Sequence, residues 1–148
     1  MSVQSDSSWT RAILSSAGMC LALILGCGDG RPERAKVSGH VLIDGQPLTK
    51  GSIRFVPAQG RPAGSSLDES GRFELTCFEP GDGAILGEYR VAIRGAEYLS
   101  ETLLKWHAPK KYSNAETSDL TATVDEPRDD LNFELTWDGG KPFQEKTQ

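Results

Sequence analysis

At 148 residues, with 37% hydrophobic and 25% charged side chains, the chain suits one folded domain with flanking segments and has an ordinary soluble balance. A net charge of −5 and a pI near 5.0 argue against nucleic acid as a partner, because its phosphates require a basic footprint. The 16 glycines and 8 prolines point to many turns and therefore to short strands.

Residues 1–26 read as an export signal. A polar start whose only basic residue is Arg11 leads into the apolar run Ala17–Leu25, too short for the ~20 apolar residues that cross a bilayer. The sequence Leu23-Ile24-Leu25-Gly26-Cys27 resembles the bacterial lipobox, in which a small residue precedes a cysteine. That resemblance implies a lipoprotein: diacylglycerol on the Cys27 thiol, cleavage before Cys27, and a cell-envelope location on a membrane. Residues 27–36 are then the lipidated cysteine and a short tether, GDGRPERA, that holds the domain near the bilayer. Cys20 leaves with the signal and Cys27 carries lipid, so Cys77 alone remains and no intramolecular disulfide forms. Its parity with Phe73 and Leu75 makes it a small core hydrophobe.

From Val37 onward the pattern has period 2 and is punctuated by turns, as in an all-β sandwich. Val37, Gly39, Val41 and Ile43 share one face, and Asp44-Gly45 opens a connection reaching Lys50, with Pro47 kept out of the ladder. Ile53 and Phe55 continue the inner face. Then Phe73, Leu75 and Cys77 alternate over residues 72–77, and Tyr89, Val91 and Ile93 over residues 88–94. Residues 95–119 break the rhythm and read as a long loop with a turn or two of helix near residues 98–104. Leu120, Ala122 and Val124, then Leu131, Phe133 and Leu135, supply two closing strands, and residues 138–148 read as a disordered tail.

The run V-S-G-x-V-x-x-D-G-x-P-L-x-x-G-x-I-x-F-x-P from Val37, the D-x-x-G-x-F-x-L step at Asp68–Leu75 and F-E-P-G-D-G-A-x-x-G-E-Y-x-V from Phe78 carry a family resemblance. They resemble the carboxypeptidase-regulatory-like, or transthyretin-like, β-sandwich domains. With the lipobox and the late K-Y-S-N-x-x-T-S-x-L-T segment, the chain is similar to the small lipoproteins of that type abundant in planctomycete bacteria. The resemblance implies a single seven-stranded Greek-key or prealbumin-like sandwich over residues 37–137 and brings no reaction with it.

Chemistry is sparse in the residues themselves. His40 falls on the outward parity of its strand. Trp106-His107 and Lys110-Lys111-Tyr112 gather aromatic and basic character in one loop, which makes Trp106, His107 and Tyr112 the candidate ligand or partner residues. The carboxylates lie at turns without the spacing of a calcium hand, and no metal ligand set, catalytic set or cofactor motif is present. The transthyretin-like hydroxyisourate hydrolases end in a Tyr-Arg-Gly-Ser signature that is absent here. The expectation is a non-enzymatic, lipid-anchored envelope module for protein interaction or structural packing. The alternative is a carbohydrate- or envelope-polymer-binding module that uses the loop aromatics.

Overall fold

The computed structural model describes residues 30–147, so the expected signal peptide at residues 1–26 and the expected lipid site at Cys27 lie outside the described residues. Within them the alternation becomes strands: β1 (Arg34–Ala35), β2 (Val37–Ile43), β3 (Gln46–Pro47), β4 (Ser52–Pro57), β5 (Ala63–Ser66), β6 (Arg72–Glu74) and β7 (Ala84–Ile85). They continue with β8 (Gly87–Arg94), β9 (Ala96–Ser100), β10 (Leu103–Trp106), β11 (Leu120–Val124), β12 (Arg128–Leu135) and β13 (Phe143–Lys146). Among the described residues the one helical element is a 3-10 turn at Lys110–Ser113.

One sheet runs β11-β8-β4-β5 and is antiparallel throughout. The other centres on β2, which takes β12 in parallel along one edge and β6 and β3 in antiparallel along the other. Their inward residues share one core, as in a β-sandwich: Ile53, Phe55, Tyr89 and Val91 from the first sheet, Val41, Phe73, Phe133 and Leu135 from the second. Phe55 stands at its centre, with ring centroids 6.4 Å from Phe73 and 5.9 Å from Phe133 across the sandwich and 5.6 Å from Tyr89 in its own sheet. Burying each such ring contributes about 1.5–3 kcal/mol, and the tilted and edge-on pairings add to it.

Turn chemistry sets the register. Asp44 and Gly45 take φ of 46° and 79°, the paired positive angles of a tight hairpin turn. The connection is shorter than the sequence suggests: Gln46 and Pro47 already pair with β2 as an edge strand, and Leu48 donates the next hydrogen bond to the Val41 carbonyl at 2.9 Å. The stretch at residues 72–77 is not one strand. β6 pairs with β2, whereas Thr76 exchanges both backbone bonds with Gly64 of β5, so this segment joins the two sheets. Cys77 is buried in the core cluster.

Three expectations are corrected. The tether ends earlier than residue 36, because Arg34 and Ala35 pair with Ile85 and Ala84 and Ala35 is buried. Residues 95–119 are not a loop with helical turns: β9 and β10 form a hairpin, followed by the 3-10 turn. The ladder shifts register between Leu103 and Leu104, leaving Leu99 of β9 without an opposite residue, and this irregularity interrupts the period of 2. The tail is not disordered, since residues 143–146 form β13 along β10. FQEK carries no apolar alternation of its own, so it becomes a strand only through a partner distant in sequence.

Candidate functional site

Strand β8 spans about 26 Å and connects two chemically different ends of the folded unit. At its Gly87 end, β7 pairs with β1, where the chain enters the fold. Past its Arg94 end, Gly95 leads into β9 and the three-stranded arm β13-β10-β9. Side chains do not fit at that bend, since a Cβ on Gly95 would overlap the Ala108 side chain.

The arm has its own apolar cluster. Trp106 is only 6% exposed; its ring stacks on Phe143 at 6.3 Å, and its Nε1 donates to Glu145 Oε2 at 3.0 Å. Trp137 meets Phe143 edge-on. Lys110 lies over the Trp106 ring and donates to Glu145 Oε1 at 2.6 Å, and these two hydrogen bonds, that of Lys110 first, hold the Glu145 carboxyl below its ordinary pKa. Tyr112 is likewise 6% exposed, belongs to the sandwich core, and accepts the Thr136 N–H at its hydroxyl. His107 Nε2 sits 2.8 Å from Glu97 Oε1, fastening β9 to the chain just past β10, and that hydrogen bond is the main cause of Glu97's lowered pKa.

Of the three candidate residues, Trp106 and His107 therefore meet in the arm, and Tyr112 lies in the core. Neither Trp106 nor Tyr112 presents a free ring face to a ligand, because Phe143 and the core occupy those faces. Among the described residues the exposed aromatics are Tyr98 and Phe143, neither of them among the three candidates. Tyr98 is 64% exposed and Leu99 47%, side by side on β9, and Phe143 of β13 is also exposed. Adjacent apolar residues on a two-faced strand cannot both turn inward, and that was the available signal. Among the described strands β9 pairs only with β10, so its other edge is open.

His40 lies on β2 between Arg72 and Asn132 of the neighbouring strands, outward but in the middle of its sheet. Among the described residues no group of three or more His, Cys, Asp or Glu side chains converges as a metal site. Burial, then the nearby Asp82 carboxylate, pushes the Cys77 thiol above its ordinary pKa, which disfavours the nucleophilic thiolate.

Asp82 organises the entry end. Burial opposes its charge, but the N–H groups of Cys77, Glu79 and Phe78 together with Arg34, 3.1 Å away, outweigh that and lower its pKa. A depressed carboxylate pKa adds stability that is complete above the unfolded value near 4 and disappears as pH falls through the folded value. Urea midpoints of the parent are expected to drop as pH falls from about 5 through the lowered Asp82 value, and Asp82→Asn to flatten that drop while lowering the midpoint at pH 7. An unchanged acid profile in the variant would assign the sensitivity to other carboxylates.

No protein-family model, no curated protein and no solved structure matches this chain.

Proposed function

We propose that the chain is a non-enzymatic, lipid-anchored β-sandwich of the cell envelope that holds a protein partner by strand addition along β9. One observation carries this reading: the open β9 edge, bearing exposed Tyr98 and Leu99, lies at the opposite end of β8 from the point where the chain enters the fold. An open edge supplies main-chain donors and acceptors to an incoming strand, and two exposed apolar side chains give that strand something to grip. An anchor at Cys27 puts the other end against the membrane and leaves this edge facing outward.

The same reading takes the sandwich as seven-stranded and Greek-key, of the carboxypeptidase-regulatory-like kind. What supports it is that the two sheets share one core and that the late strand β12 returns to lie beside the early strand β2, here in parallel rather than in the antiparallel sense of the Greek-key motif itself. Arm side chains with acid-base potential are tied up in pairs, His107 with Glu97, Lys110 with Glu145 and Lys111 with Asp138, which suits a scaffold more than a reaction site. The carbohydrate-binding alternative is weakened by the burial of Trp106 and Tyr112.

The combined variant Tyr98→Asp/Leu99→Lys is expected to abolish co-purification of the partner after cross-linking in cells. The unfolding midpoint should stay within about 0.5 kcal/mol of the parent, as for other surface changes. Undiminished recovery of the same partner would refute the β9 docking.

A further inference from the structure

At the entry end, three guanidinium groups gather on one aromatic ring. Arg61 lies 4.9 Å, Arg34 5.1 Å and Arg31 5.2 Å from the Phe78 centroid. They come from separate pieces of chain: Arg34 from β1, Arg31 from just before it and Arg61 from the β4–β5 connection. Phe78 is set by the turn that Asp82 ties down, and Arg61 Nε donates to the Cys77 carbonyl at 2.6 Å.

Among the described residues, Asp82 and Glu79 are carboxylates paired with these cations. Asp82 pairs with Arg34 and is mostly buried, locked by backbone N–H groups. Glu79 pairs with Arg31 at 2.7 Å from a largely exposed position, where an external anion can compete with it. Leu86, 37% exposed, donates its N–H to the Glu33 carbonyl in this same region. Leu86 also shares with Arg61 and Glu88 a hollow of about 300 Å³.

Three residues lie between Cys27 and Arg31, so four Cα-to-Cα steps give a reach of at most about 14 Å. We propose that this end of the sandwich docks on the bilayer, with phospholipid phosphates received by the arginines around Phe78 and Leu86 placed at the headgroup boundary. The inference rests on the lipid-anchored reading above. Guanidinium is the suitable cation here, since its planar fork matches phosphate oxygens two at a time and its weak hydration tolerates a partly apolar setting. An arginine cluster beside an exposed leucine suits the boundary between polar headgroups and acyl chains. Docking would convert a loose tether into a fixed orientation, with the β9 edge held away from the membrane.

The test uses the full chain purified from the envelope and reconstituted into vesicles of phosphatidylethanolamine and phosphatidylglycerol. An environment-sensitive fluorophore is attached at Leu86→Cys or, separately, at Tyr98→Cys. The probe at position 86 is expected to be quenched by lipids spin-labelled at the headgroup, and the probe at position 98 to be unaffected. Arg31→Gln/Arg61→Gln should roughly halve the quenching at position 86. Equal quenching at both positions, or quenching at 86 that ignores the arginine replacements, would overturn the docking. The mass of the Cys27 peptide separates the two failures: acylated Cys27 without selective quenching sinks the docking alone, and unmodified Cys27 removes the anchor and the docking together.

Discussion

Phe55→Ala is expected to cost about 3–5 kcal/mol, the largest loss from any single truncation in the core. The ring is completely buried and meets three aromatic rings, Phe73 and Phe133 of the other sheet and Tyr89 of its own. Its removal leaves a cavity bounded by three rings held on separate strands, which cannot all collapse inward without breaking ladder hydrogen bonds. A domain of this size has only about 5–15 kcal/mol in hand, so a large fraction of the variant should unfold in mild urea. A midpoint change worth less than about 1 kcal/mol would mean that the sheets do not share the core described above.

Gly39→Ala is the second large effect, from a different cause. Gly39 pairs with Leu131 across the parallel β2–β12 ladder, and a Cβ there would overlap the Leu131 carbonyl oxygen and carbon. The obstacle is backbone, so no rotamer change relieves it, and β12 must move off β2. The expected cost is the upper end of the roughly 1–3 kcal/mol of an overpacked core, with loss of protection in hydrogen exchange confined first to β12. Gly45→Ala is the useful control: a Cβ there meets nothing, and only the positive φ of 79° disfavours it. Similar losses from the two variants would show that close approach at Gly39 is unimportant.

What was legible in the sequence follows from where the ordering forces act. β4, β8 and the second half of β12 bury one parity and largely expose the other, and β2, though covered on both faces, keeps its fully buried valines on one parity, so their alternation is written locally, and the Asp44-Gly45 turn announces itself by residue type. β1, β9, β10 and β13 escaped notice because their pairing is non-local or their period is interrupted by the shift at Leu103 and Leu104. The segment containing Trp106, His107 and Tyr112 stands out by residue type, but its surroundings depend on β13. Without Phe143 stacked on it, Trp106 reads as an available ligand platform. The arginine cluster around Phe78 has no sequence spacing to reveal it, because Arg31, Arg34 and Arg61 meet only once the sandwich has closed.

The two ends of β8 carry the proposed division of labour, membrane at one and partner at the other. The most direct measurement places a photo-reactive amino acid at position 98 or at position 86 of the full chain and irradiates cells. Mass spectrometry is expected to find a discrete protein adduct at position 98 and phospholipid adducts at position 86. Lipid adducts at position 98, or no protein adduct there while position 86 captures protein, would contradict the arrangement.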